Sequence, residues 1–267
     1  MRRTILITGA GTGLGEGTAI GLAQKGHTVI ATAETWPQVT ALREKVTALG
    51  LSTISVTKLN LLEEHDIASA AKLDFEVLVN NAGICEGGPI AEIPIPLVKR
   101  NFEVNVFALL DLTQRVVRRW VKDKVKGKVV MISSIVGLVS PPMLGSYSAT
   151  KHAIQAISEA MQEELKDFGI QVQTINPGPF FTGFNERGVE AALRWLDDDV
   201  NFTSRAAYKA KTTGFLDKPE MRLDPKDMIS KMIELIPEQT GPFRNIFPKE
   251  TADWAVAADR EMWERTI

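Results

Sequence analysis

The feature that most limits what this chain can fold into is a rhythm. Short apolar runs rich in β-branched residues recur along it, and longer amphipathic stretches separate them. The runs Thr4–Thr8, Thr28–Thr32, Ser52–Thr57, Glu76–Asn80, Lys128–Ser133 and Ile170–Asn176 have strand length, and a weaker one lies at Arg244–Phe247. Strands buried on both faces read as near-continuous apolar runs, so the pattern predicts a parallel sheet. Parallel strands need long crossovers, and Leu14–Lys25, Gln38–Leu49, Glu63–Ala71, Leu97–Lys122 and Ser146–Phe168 supply helical ones. A mixed segment runs from Phe180 to about Pro237. The expected fold class is therefore α/β, a doubly wound, mainly parallel sheet with helices on both faces. No repeat, low-complexity tract or linker interrupts the chain, so one domain is expected over 1–267. Within it, the segment at about 180–225 is aromatic, with Phe180, Phe181, Phe184, Trp195, Phe202, Tyr208 and Phe215. Such a segment can cover a substrate cleft or be an ordinary packed excursion.

Composition removes several classes of function. The formal net charge is −2, so nothing electrostatic argues for nucleic acid or an anionic membrane surface. The single cysteine, Cys85, excludes an intramolecular disulfide and a thiolate cage, and His27, His65 and His152 are too scattered for a metal site. No apolar run is long enough for a signal core or a bilayer span. A cytoplasmic protein with a small-molecule partner, and no metal, is the expectation.

The first strand runs into Thr8-Gly9-Ala10-Gly11-Thr12-Gly13-Leu14-Gly15. Glycines let the backbone turn tightly and approach a pyrophosphate, and the following helix start offers free N–H groups to the anion. Any tight turn from strand to helix favours glycine; the position at the first such turn of a doubly wound pattern is what points to a dinucleotide. A second pattern carries acid/base chemistry. Of the two tyrosines, Tyr208 has Thr212 four positions on, whereas Tyr147 has Lys151. On a helix these share a face, and a cation favours the ionised phenol, whose ordinary pKa is about 10. A surface tyrosine stacked along a lysine stem would give the same spacing.

Taken in order, these motifs resemble the short-chain dehydrogenase/reductase family. The resemblance rests on Thr-Gly-x-x-x-Gly-x-Gly, Asn80-Asn81-Ala82-Gly83, Asn105, Ser133-Ser134, Tyr147-x-x-x-Lys151, and Asn176-Pro177-Gly178 with Thr182, covering residues 4 to about 182. It implies a single Rossmann-fold domain and an NAD(P)-dependent oxidoreductase acting on a ketone or secondary alcohol. In the family's terms, Tyr147 exchanges the proton with the substrate oxygen. Lys151 lowers the phenol pKa and holds the nicotinamide ribose, and Ser134 hydrogen-bonds the substrate oxygen. Asn105 keeps a water for proton relay; the alternative is an asparagine bonded to backbone. Ser133 is expected only to support the turn. The resemblance assigns cofactor contacts to Gly9, Thr12, Gly13, Leu14, Glu34, Asn60, Leu61, Asn81, Ala82, Gly83, Tyr147, Lys151, Pro177, Gly178 and Thr182.

Two departures bear on the cofactor. NAD-type members usually carry Asp where this chain has Ala33, and NADP-type members often carry Arg at the place of Glu34. A carboxylate there suits a ribose 2′-OH and repels a 2′-phosphate, so NAD is preferred over NADP, although Glu34 could instead cap the next helix. Asn60 replaces the family's usual Asp beside the adenine. Ile84, Cys85, Ile135, Val136, Met143, Leu144, Phe180, Phe181 and Phe184 are expected to line an apolar pocket for a neutral substrate, with Cys85 a packing residue. The family assembles through the helices bearing Asn105 and Tyr147. The stripe Ala149, Ala153, Ala156, Ile157, Ala160 and Leu165 suits this or simply faces the sheet. The end of the chain lacks the Asp-Gly-Gly of tetrameric members and is closer to the hydroxysteroid and retinol dehydrogenase branch, which favours a homodimer over a tetramer. Two rivals share the scaffold: a catalytically silent dinucleotide-sensing regulator, and a halohydrin dehalogenase, in which arginine replaces Lys151.

Overall fold

The computed structural model describes residues 2–216 and 222–266. Seven strands form one sheet in the order β3-β2-β1-β4-β5-β6-β7, every neighbouring pair parallel. They are β1 (Thr4–Ile7), β2 (Thr28–Ala33), β3 (Ile54–Lys58), β4 (Val77–Asn80), β5 (Lys128–Ile132), β6 (Gln171–Pro177) and β7 (Arg244–Phe247). The direction of winding reverses between β1 and β4, where a doubly wound sheet opens a crevice at the carboxyl ends of its strands.

Two apolar layers fill the two faces. On one, α1 (Gly13–Gln24), α2 (Trp36–Ala48) and α9 (Pro225–Leu235) bring Leu22, Val39, Leu42, Met228 and Met232 against Ile5, Ile7, Val29 and Val79. On the other, α3 (Glu64–Ala70), α5 (Leu109–Asp123) and α6 (Gly145–Glu164) bury Ile67, Leu112, Val116, Trp120 and Ile154 against Leu6, Leu78, Val129 and Met131. The continuous apolar reading of the central strands is explained by this covering of both faces.

Three elements depart from the sequence expectation. The helix expected over Leu97–Lys122 is α4 (Ile95–Phe102) and α5 joined through one π turn, Glu103–Ala108. The mixed segment contains α7 (Phe184–Leu193), α8 (Arg205–Leu216) and α9. The end of the chain forms α10 (Lys249–Glu264), which the alternation did not announce because only Ala255 of it is buried. Part of the 180–225 segment, residues 217–221, lies outside the described residues. The ends of that excursion meet: Phe180 bridges Leu223, and the Phe181 N–H donates to Leu223 O at 2.9 Å. Ala192, Leu196 and Tyr208 give it a small apolar cluster of its own. Among the described residues no helix is long and apolar enough to cross a membrane, and no group of His, Cys, Asp and Glu could hold a metal ion.

Candidate active site

The glycine turn between β1 and α1 is drawn tight against the end of β4. Gly9 has φ +65°, and a Cβ there would lie 2.7 Å from Ala82 Cα. A Cβ on Gly15 would lie 2.4 Å from Asn81 Nδ2 and 2.5 Å from Gly9 O. The side chain of Asn81 is spent on this turn, donating to Thr8 O at 2.9 Å and Gly9 O at 3.1 Å. Thr8, fully buried, accepts from the N–H groups of Asn81 and Ala82 through its hydroxyl. Thr8 and Asn81 thus act as braces that hold the turn in shape. Gly13 has φ +61°, and its open side faces Thr182, 3.7 Å from a built Cβ. The motif after β6 therefore reaches the motif after β1. Thr12 caps α1 without any side-chain bond, and the N–H groups of a helix's first turn have no partner within the helix.

Across the crevice, β5 and α6 carry the residues expected to do acid/base work. Tyr147 and Lys151 share one face of α6, and both are buried. The Lys151 ammonium lies 5.7 Å from the centre of the Tyr147 ring and donates to Ile132 O at 2.9 Å. Ser134 stands near enough to the Tyr147 hydroxyl to favour its ionised form, and the Phe184 ring stands 5.6 Å from the Tyr147 ring. Burial pushes the Tyr147 phenol well above its ordinary range; the Cys85 thiol adds to this and Ser134 opposes it. Lys151 is not among the causes of this shift, of which desolvation is the largest. Burial also lowers the Lys151 ammonium to about 8, with Cys85 opposing.

Asn105 is completely buried in the π turn, where its side chain is fully engaged. Its Oδ1 accepts from Ile84 N at 2.8 Å, and its Nδ2 donates to Ile84 O at 2.8 Å and Thr150 Oγ1 at 3.1 Å. Thr150 in turn donates to Tyr147 O at 2.7 Å. One residue thus ties the end of β4 to α6, and the π turn brings its side chain to that junction. Gly83 makes room: a Cβ there would sit 3.2 Å from Asn105 Oδ1 and 3.7 Å from Lys151 Nζ.

The sequence reading undervalued Ser133 and passed over Gly137. Ser133 Oγ donates to Lys151 O at 3.2 Å, so consecutive residues at the end of β5 grip the lysine by its ammonium and its main chain. A Cβ on Gly137 would strike Ser133 Oγ at 2.6 Å and Lys151 O at 2.8 Å. No local pattern marks these roles, which exist only once α6 lies over β5. Asn176 donates to Ser134 O at 3.0 Å, and its Oδ1 is buried without a partner beside the cleft.

The remaining expected residues divide. Glu34 is exposed just past β2, and the cap of α2 is Thr35, whose hydroxyl accepts from Gln38 N. Asn60 Oδ1 accepts from Leu62 N at 3.0 Å, which closes a local turn, and Leu61 is a buried core residue. Leu14 packs against the core layer of α1. Gly178 donates its N–H to Phe247 O at 2.8 Å beside buried Pro177. The pocket list needs correction: Phe180 is a core residue stacked on Phe247, and Phe181 is half exposed beneath Arg222. Cys85 packs against Gly188 of α7, and burial raises its thiol to about 12.

The crevice fits a dinucleotide on its own geometry. It has an uncapped helix start, an open glycine at Gly13, and Tyr147 and Lys151 on one face of α6. The family model described as short chain dehydrogenase matches residues 3–192. The chain is 34% identical over 189 residues to an NADPH-dependent 3-dehydrocapnine reductase of Ornithobacterium rhinotracheale, covering 67% of this chain and 66% of that protein. It is 30% identical over 245 residues to the uncharacterized oxidoreductase YusZ of Bacillus subtilis, covering 89% and 86%. A crystal structure of a short-chain dehydrogenase from Streptomyces avermitilis superimposes with a TM-score of 0.78 at 27% identity, covering 99% of this chain and 96% of that one. The chain belongs to the short-chain dehydrogenase/reductase family, whose members act as oxidoreductases on CH–OH and C=O carbons.

Proposed function

We propose that this protein interconverts a neutral, apolar ketone and its secondary alcohol with a nicotinamide dinucleotide, Tyr147 serving as general acid/base. The observation that carries the reading is the cluster of half-buried Ser134 with buried Tyr147 and Lys151 at the carboxyl ends of the strands, beside the glycine turn. When bound, the nicotinamide supplies or accepts the hydride. The protein's own groups handle the oxygen and its proton. Ser134 and Tyr147 hydrogen-bond the substrate oxygen, and Tyr147 donates its proton there during reduction. A phenol held protonated by burial suits that direction. Lys151, whose ammonium is poised to about 8, supports the return of the proton. Gly9, Thr12, Gly13 and Leu14 would hold the pyrophosphate, with Thr182 closing from the other side. Asn81 acts by holding that turn, and Asn60, Leu61, Ala82 and Gly83 border the adenosine half. Pro177 and Gly178 border the nicotinamide half.

NAD is the preferred cofactor in this reading, because Glu34 is exposed past β2 and is not used as the cap of α2. The segment at about 180–225 covers the substrate through Phe184 of α7. A homodimer would bury the outer face of α6 and the π turn before α5, where Ala149, Ala156 and Ala160 are exposed and Phe107 is 55% exposed. Turnover with NADH and NADPH against a panel of ketones, followed at the reduced-nicotinamide band, tests the reading. Faster turnover with NADH on apolar ketones is expected. Absence of turnover with any ketone or alcohol would refute it, and a strong NADPH preference would refute the cofactor assignment.

A further inference from the structure

We infer that Gln38, acting beside Glu34, excludes a 2′-phosphate from the adenosine ribose; this inference rests on the dinucleotide reading above. A Cβ built on Gly11 lies 3.2 Å from Ala33 Cβ, 3.2 Å from Gln38 Cβ and 3.3 Å from Gln38 Cδ. The glycine turn, the end of β2 and the first turn of α2 therefore meet at one closed corner, and Gln38 fills it. Doubly wound dinucleotide folds read the ribose 2′ position at the end of this strand, with a carboxylate for a hydroxyl and an arginine for a phosphate.

The Gln38 side chain is fixed in that corner. Its Oε1 accepts from Thr35 N at 3.1 Å, while its own N–H donates to Thr35 Oγ1 at 3.4 Å. It cannot swing aside without opening this reciprocal cap. The same cap consumes part of the donor set an anion would use. Pro37 has no N–H, the N–H of Gln38 goes to Thr35 Oγ1, and that of Val39 goes to Thr35 O at 3.0 Å. A helix start is ordinarily a phosphate site because these groups are free. Neighbouring cations are also engaged. Lys58, opposite Ala33 in the sheet register, pairs with Asp66, and Arg43 donates to Val56 O. Glu34 adds a negative charge at the rim. The corner thus lacks space and positive charge for a phosphate and offers it few helix-start donors, while a 2′-hydroxyl needs only one acceptor.

The test is a double-mutant cycle read by isothermal titration calorimetry. The variants are Gly11→Arg, Gln38→Ala and both together, titrated with NADH, NADPH, 5′-AMP and 2′,5′-ADP. A parallel cycle with Glu34→Arg replacing Gly11→Arg serves if arginine at the turn prevents folding, as judged by circular dichroism. We expect either arginine alone to tighten 2′,5′-ADP by no more than about threefold. With Gln38→Ala added, the gain should reach at least about tenfold, the scale of one charge-assisted hydrogen bond. NADH affinity should stay within about threefold for Gln38→Ala, and should fall with Glu34→Arg, which removes the acceptor for the 2′-hydroxyl. Full gain from an arginine alone, or additive effects of the two substitutions, would overturn the role of Gln38 while leaving the dinucleotide reading intact. Wild-type protein that binds neither NADH nor NADPH would overturn both.

Discussion

Replacing Gly15 by alanine separates a glycine kept for close approach from one kept for conformation. Gly15 lies inside α1, outside the left-handed region, so alanine meets no backbone strain there. Helix propensity alone favours alanine over glycine by about 1 kcal/mol. Against this, the new Cβ would sit 2.5 Å from Gly9 O and 2.4 Å from Asn81 Nδ2, distances that force the turn or the amide to move. Overpacking of this kind costs about 1–3 kcal/mol. Losing the two Asn81 bonds to Thr8 O and Gly9 O costs about 1 kcal/mol each. The net expectation is a loss of roughly 2–4 kcal/mol, or a Tm lower by about 4–7 °C for a chain of this size. Dinucleotide affinity should weaken by about tenfold or more, because the displaced atoms are those of the phosphate turn. Differential scanning fluorimetry and calorimetric titration of NADH give the two numbers. A variant as stable as wild type, with unchanged affinity, would refute the claim that the turn is packed against Asn81.

Two further outcomes follow from buried ionisable groups. Lys128 is buried, donates to Leu235 O and Glu238 O, and is lowered to about 8 by burial. Its folded pKa lies below its unfolded value of 10.5, so the unfolded chain binds more protons between the two and stability rises with pH in that window. Urea titrations from pH 7.5 to 9 should show wild type gaining on Lys128→Met by up to about 1.4 kcal/mol per pH unit above 8; a constant difference would contradict this. Cys85, half-buried and with its thiol raised to about 12 by desolvation, should react slowly with iodoacetamide at pH 8 in the folded protein and fully in denaturant, as read by mass spectrometry. Rapid alkylation of folded protein would show that the α7 contact with Gly188 opens freely.

The fold was legible because a parallel sheet covered on both faces leaves an unmistakable alternation, and even the weak Arg244–Phe247 run is a strand. Residues whose roles are local were legible too: Tyr147 and Lys151 are one helical turn apart, and the glycine turn is continuous in sequence. What stayed hidden depends on partners distant along the chain. Ser133 gained its role only when α6 crossed β5, and Gly11 became informative only beside Gln38 of the next helix. The π turn at Asn105 follows from bonds to Ile84 and Thr150, 21 and 45 residues away. Phe180 and Phe184 look alike in sequence, yet one stacks in the core on Phe247 and the other stands over Tyr147. Helix α10 escaped notice because it buries too little for an apolar stripe to show.

The most direct measurement compares wild type with Tyr147→Phe for two quantities on the same samples: the NADH dissociation constant and the single-turnover rate of ketone reduction. The ring contacts with Phe184 and the buried position are kept, while the hydroxyl that meets Ser134 is removed. The account predicts NADH affinity within about threefold of wild type and a rate lower by at least about a hundredfold, the scale of one general acid. Equal rates for the two proteins would contradict the assignment of the proton to Tyr147.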